Sequence, residues 1–237
     1  MSNLIREWSR EQKLSYRASC SFKRYLLENI NSFLFTDNFI LDVQSLCTKI
    51  NLSYCNECSK FTKFGCCNGN SYPMSDDISE RISNNFDSII EYNKDFSTVG
   101  LCGVTKGMST STRGSVGGNC CFSYKGECCI KKWCEGTGRN PFVFLPERCS
   151  LYPIDAIRLP NNKIFVFCLS KHTKEFSMYS LDSIGRVCVD IDLAYKLVTS
   201  LPKGFMDNYR EAYVEKENVL RYFIGDKVYN LFIAAVL

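Results

Sequence analysis

Four cysteines fall within the fourteen residues of YCNECSKFTKFGCC, Tyr54 to Cys67. A packed core favours Leu, Ile or Val, which bury more apolar surface than a thiol and carry no redox liability. The stretch therefore reads as a demand for sulfur itself. Cys55-x-x-Cys58 is the spacing that lets two thiolates on one tight turn grip a single ion. Cys66 and Cys67 follow Gly65 as a vicinal pair. Adjacent side chains on extended backbone point to opposite faces, so one of the two can complete the first site while its neighbour faces a second.

The whole chain has 15 cysteines in 237 residues and a single histidine. Clustered thiols mean metal or catalysis in a reducing compartment and disulfides in an oxidising one, where an odd total leaves one thiol unpaired. The first residues, MSNLIREWSREQKLSYR, contain no apolar run of the kind that forms the centre of a signal peptide, so a cytoplasmic protein is expected. The apolar tail LFIAAVL is far shorter than the roughly 20 residues needed to cross a bilayer and reads as the end of a packed helix. The 29 basic and 25 acidic residues are mixed along the chain, a net of +4 that is too slight to indicate nucleic acid or membrane as a partner.

The elements that must position the cysteines follow from periodicity. Phe22, Tyr25, Leu26, Ile30 and Phe33 have helical spacing, and Ile40, Val43, Leu46 and Ile50 repeat it after a Thr36-Asp37 start signal. Beyond the cluster, Asp77 and Glu80 form a capping-box pattern ahead of an apolar face of Ile78, Ile82, Phe86, Ile89 and Ile90. Residues 97–119, dense in Gly, Ser and Thr, are expected to be a long loop. CCFSYKGECCI reads as two short strands around Lys125-Gly126, and PIDAIRLPNNKIFVFCL as a hairpin turning at Asn161-Asn162. After Asp190, Ala194, Leu197, Val198 and Leu201 share a helical face, and Asp226 caps a last helix carrying Val228, Leu231, Phe232 and Ala235.

The fold expected is α+β and a single domain over 1–237. Helical parts at 1–53 and 170–237 surround a cysteine-rich, metal-binding middle with short strands at 54–169.

Three ordered motifs give this middle a resemblance. The first is Cys55, Cys58, Gly65, Cys66 and Cys67, followed by the acidic helix start SDDISERI. The second is Cys120, Phe122, Gly126, Cys128 and Ile130, and the third is Pro146, Cys149, Tyr152 and Pro153. Together they resemble the YkgJ-type cysteine-cluster proteins, described as zinc- or iron-chelating, over roughly Tyr54 to Leu169. Cys168, closing FVFC, matches a later cysteine of that pattern. The chain departs from the family in a longer first spacer, in Leu145 where an Arg is common, and in the long loop before Cys120.

The resemblance implies eight metal ligands: Cys55, Cys58, Cys66, Cys67, Cys120, Cys128, Cys149 and Cys168. Cys121 and Cys129 stand beside matched positions and compete for the roles of Cys120 and Cys128. Such a set suits two four-thiolate sites, or one cluster with spare thiols. Zinc and an iron–sulfur cluster take the same ligand type, with a 4Fe–4S cluster preferred because no histidine joins the set. The expected function is metal binding, in support of electron transfer or of a protein or peptide modification, with a protein or peptide as partner. Two alternatives stand beside it. One is a modifying enzyme related to the flagellin lysine methylases that carry a similar cysteine region, and the other is an exported domain stapled by disulfides.

Plainer readings cover the remainder. Cys20 and Cys47 are expected as small core residues on helix faces, whereas for Cys102, Cys134 and Cys188 a regulatory disulfide or a spare-ligand role is open. His172, in the charged stretch KHTKE, is read as part of a solvated loop rather than a catalytic pair with a cysteine. The GSVGG run lacks the preceding strand and the glycine order of a nucleotide loop, and Asp76, Asp77 and Glu80 are explained by their helix start.

Overall fold

The Ser15 hydroxyl accepts a hydrogen bond from the Ala18 N–H and so starts helix α1, Tyr16–Glu28. The computed structural model describes residues 14–55, 76–93, 120, 122–124, 127–177 and 187–237. The expected loop at 97–119 and Cys58, Cys66, Cys67, Cys102 and Cys121 lie outside them. The chain is mixed helix and sheet, an α+β protein, and forms two units, Met1–Leu52 with Leu151–Leu237 and Ser53–Ser150.

In the first unit α1 ends before Phe33, which enters strand β1, Phe33–Phe35. The segment from Ile40 to Ile50 is not the single helix that its spacing suggests. It forms strand β2, Phe39–Asp42, then one helical turn, α2, Val43–Leu46, then strand β3, Lys49–Ile50. The Thr36 hydroxyl accepts from the Phe39 N–H and donates to the Phe39 carbonyl, both at 3.0 Å, which closes the β1–β2 turn. Thr and Asp serve helix caps and turns alike, and a three-residue apolar run has no resolvable period.

The chain then builds the second unit. Helices α3, Asp76–Asn84, and α4, Phe86–Tyr92, replace one longer expected helix, broken at Asn85. A hairpin of β4, Ser123–Tyr124, and β5, Glu127–Cys128, runs directly into helix α5, Cys129–Gly136, which the strand reading of CCI had hidden. Ile78, Ile82, Ile89, Phe122, Ile130 and Trp133 pack into one core. Trp133 is fully buried, its Nε1–H donates to Ser88 Oγ at 3.1 Å, and Phe144 meets it edge-on at 5.0 Å. A Cβ at Gly136 would lie 1.7 Å from the Tyr92 hydroxyl, so a side chain there must displace the exposed Tyr92 ring.

Helix α6, Glu147–Leu151, leads back into the first unit and the expected hairpin, β6, Ile154–Arg158, and β7, Ile164–Cys168. Asn162 takes the left-handed conformation that the Asn-Asn turn supplies, with φ of 63°. The sheet order is β1-β2-β7-β6, with β2 and β7 parallel (Phe39 opposite Ile164, Leu41 opposite Val166) and the outer pairs antiparallel. Every residue of β2 and β7 is buried, as central strands covered on both faces must be. On one face the rings of Phe22, Tyr25, Phe33, Phe165, Phe167 and Phe176 form a chain with centroids 5.1–5.4 Å apart.

The remainder comprises helix α7, Ile191–Lys196, capped by Asp190, strand β8, Arg210–Glu211, paired with β3, and helices α8, Ala212–Glu215, α9, Glu217–Ile224, and α10, Asp226–Val236. Gly225, with φ of 86° and ψ of 151°, joins α9 to α10 in a conformation open to glycine alone. Leu197 and Val198 are exposed rather than on an inner face, because α7 stops at Lys196 and only Ala194 turns inward. No helix among the described residues is long and apolar enough to cross a membrane.

One buried acid ties α1 to the sheet. Asp42, at the end of β2, accepts hydrogen bonds from the Tyr25 hydroxyl at 2.6 Å and the Ser45 N–H at 3.1 Å. Burial raises its carboxyl above the ordinary range, and those hydrogen bonds act against the rise. A raised folded value means that Asp42 favours the fold most below the ordinary carboxylate range, and that this contribution drains away as pH rises through the folded value. Tyr25→Phe removes a donor from the ionised form, so it is expected to destabilise by about 1–3 kcal/mol at neutral pH. Urea denaturation of the variant and the parent at pH 7.5 and pH 5 is expected to show the smaller deficit at the lower pH.

Candidate metal centre

In the second unit, pairing of Ser123 with Cys128 and of Tyr124 with Glu127 brings the chain back on itself, and the Cys129 N–H donates to the Phe122 carbonyl at 2.9 Å. Cys128 therefore ends β5 and caps α5, while Cys129 and Cys134 lie on that helix among the core residues. Cys120, Cys128 and Cys149 pack against the same core. The Cys149 N–H donates to the Pro146 carbonyl at 2.9 Å, which sets the turn that carries its thiol. Asn93 fastens the start of α5 to α4, its side-chain amide donating to the carbonyls of Ile89 and Cys129 at 2.7 and 3.2 Å.

Five thiols thus share one core, and Cys120, Cys128, Cys129 and Cys134 act on one another electrostatically. Burial pushes Cys128 up to about 11; the backbone N–H groups of Lys131 and Ile130 favour its thiolate, and charge on Cys120 opposes it. Burial also raises Cys129, and the neighbouring Cys128 and Cys120 add to the effect. Cys134 is pushed up to about 11, by burial first and by Cys128 next, with the Arg139 cation opposing. Cys128 keeps an opening to solvent, a cleft of about 70 Å³ flanked by Glu127, Lys131, Lys132 and Glu135.

Of the eight expected ligands, Cys120, Cys128 and Cys149 are brought onto this core. Cys55 is half-buried at the start of the second unit. Cys58, Cys66 and Cys67 lie outside the described residues. Cys168 belongs to the first unit: it is fully buried at the end of β7, with its Sγ 3.6 Å from the Leu169 carbonyl oxygen and its N–H donating to Ser45 Oγ at 3.0 Å. Burial, then Asp42, raises that thiol. In the same unit Cys188 Sγ is 3.4 Å from the Tyr152 hydroxyl. Cys20 is exposed on α1 rather than in the core, since the buried side of that helix is set by Phe22 and Tyr25, and Cys47 is half-buried.

Cys134 was not singled out by the motifs. Its signal was the stripe Ile130, Trp133, Cys134, spaced as one helix face, which only the helical reading of α5 exposes.

Among the described residues, none of the ten cysteines forms a disulfide, and no three Cys, His, Asp or Glu side chains stand close enough to hold a metal ion. The donors on the second unit's core nevertheless fit a thiolate-bound metal or cluster in kind, being sulfur throughout, with backbone N–H groups favouring the Cys128 thiolate. Comparison of the chain with family models, with curated proteins and with solved structures finds no match.

The raised thiols give a signed pH dependence. Cys128 and Cys134, pushed up to about 11, hold their protons more tightly folded than unfolded. Their contribution to stability is full below the ordinary thiol range and is lost as pH rises toward the folded value. Metal-free protein is therefore expected to lose stability above about pH 9. Iodoacetamide at neutral pH is expected to label exposed Cys20 at least about tenfold faster than Cys128, Cys129 or Cys134, read by peptide mass spectrometry.

Proposed function

We propose that the protein binds a metal through the cysteines of its second unit, with Cys120, Cys128 and Cys149 joined by ligands from Cys55, Cys58, Cys66 and Cys67. The observation that carries this reading is the gathering of Cys120, Cys128, Cys129, Cys134 and Cys149 on one hydrophobic core, none of them in a disulfide. Apolar side chains would fill that core at lower risk of oxidation, and Cys128, Cys129 and Cys134, which burial keeps protonated, have no structural use for their sulfur. A cation changes that balance, because binding deprotonates the thiols and releases their protons.

The bound group is an iron–sulfur cluster, of the 4Fe–4S type, or zinc, and the absence of histidine from the donor set favours the cluster. An iron–sulfur cluster supplies one-electron transfer, whereas zinc in a four-thiolate site supplies structure. The protein's own residues hold the thiols in place through the Cys129–Phe122 backbone bond and the Asn93 amide, and leave Cys128 facing the small cleft. A protein or peptide partner and support of a modification reaction belong to the same proposal and rest on the three-motif resemblance; a cytoplasmic setting belongs to it as the reducing compartment in which clustered thiols hold metal.

Anaerobic purification followed by a visible spectrum and by iron, acid-labile sulfide and zinc analysis tests the reading. Brown protein with iron and sulfide supports the cluster, and colourless protein with stoichiometric zinc supports the structural metal. Protein free of both metals contradicts the proposal. Cys128→Ser is expected to lower metal content or affinity by about 10-fold or more, while Cys20→Ser leaves it unchanged.

A further inference from the structure

The first unit contains a cavity of about 470 Å³ that touches its aromatic core only at Tyr25 and is lined by no cysteine. Its place follows from topology. β2 and β7 are adjacent and parallel, so both chains leave the sheet at the same end and must diverge there. The crevice outside the carboxyl ends of parallel strands is where sheets of this kind offer a ligand site. Ser45, in the turn after β2, and Ser170, in the turn after β7, form its floor, and the Cys168 N–H donates to Ser45 Oγ at 3.0 Å, joining the two strand ends. The Thr173 hydroxyl holds the second turn, accepting from the Ser170 N–H at 2.9 Å and donating to the Cys168 carbonyl at 2.8 Å. The floor is thus fixed before any ligand arrives, which reduces the entropy cost of binding.

The wall is a polar stripe on α1. Ser21, Arg24, Tyr25 and Glu28 follow one another at helical spacing and all face the cavity. Ser21 and Tyr25 are buried, and their hydroxyls are already committed, to Glu175 and Asp42. Arg24 and Glu28 are exposed, and neither side chain closes an ion pair or hydrogen bond with a described residue, although they stand one helical turn apart with opposite charge. Glu175, which also lines the cavity and accepts the Ser21 hydrogen bond, is held ionised by the Ser21 hydroxyl and by nearby Arg17, Arg24 and Lys174. The cavity therefore offers a guanidinium able to take a carboxylate in a two-pronged contact and carboxylates able to take an ammonium group, over a bed of hydroxyls. Its volume falls within the range of small-molecule sites.

We infer that this cavity binds a small zwitterion of the amino-acid class, its carboxylate on Arg24 and its ammonium group on Glu28 and Glu175. Isothermal titration calorimetry of the full chain at low salt, with the common L-amino acids and alanyl-glutamine as probes, tests it. Acetate and methylammonium serve as the singly charged controls. Saturable one-to-one binding of at least one zwitterion is expected, weakened about tenfold or more by Arg24→Gln and by Glu28→Gln and absent for both controls. Both substituted side chains are exposed, so neither change disturbs the core. Failure of every zwitterion to bind at about 10 mM, undiminished binding in both variants, or acetate binding as tightly as the best zwitterion would each overturn the inference.

Discussion

A thiol surrounded by hydrocarbon ionises only when a positive charge repays the lost solvation. That constraint governs the second unit, where Cys128, Cys129 and Cys134 are all raised by burial and each feels another sulfur as a further obstacle to charge. Left alone the core is a set of neutral, soft side chains packed around Trp133. Supplied with a metal it becomes a set of thiolates, with the start of α5 already directing two backbone N–H groups toward Cys128. Metal binding, thiol deprotonation and the stability of this unit are then one linked equilibrium.

The first unit is organised by a different economy of charge. Its sheet is sealed on one face by a run of phenylalanines, and the polar groups at the ends of β2 and β7 are almost all engaged with one another: Asp42 with Tyr25 and Ser45, Ser45 with Cys168, Thr173 with Ser170. Such networks are stable only when complete. Arg24 and Glu28, which close no ion pair with a described residue, lie on the rim of the cavity that this network underlies.

Local signals were legible where the chain carries local chemistry. The Asn161-Asn162 turn and the cap at Asp190 could each be read from a few residues, because turns and caps select residue types directly. The segment from Ile40 to Ile50 could not. FILD is a central strand only because β7, distant in sequence, lies beside it, and no local period records that partner. The same long-range pairing places Cys168 in the sheet of the first unit, where FVFC reads as alternation onto two buried faces. For the candidate site, the cysteine motifs identified Cys120, Cys128 and Cys149 but passed over Cys134, since CCI looks like the end of a strand until the Trp133 face shows that it opens a helix.

X-ray absorption at the iron or zinc edge of anaerobically purified protein is the most direct measurement of whether these thiols bind metal. The account predicts a first coordination shell made of sulfur alone, near about 2.3 Å for zinc, with an added iron–iron distance if the metal is a cluster. A shell of nitrogen and oxygen, or no metal to measure, would contradict it.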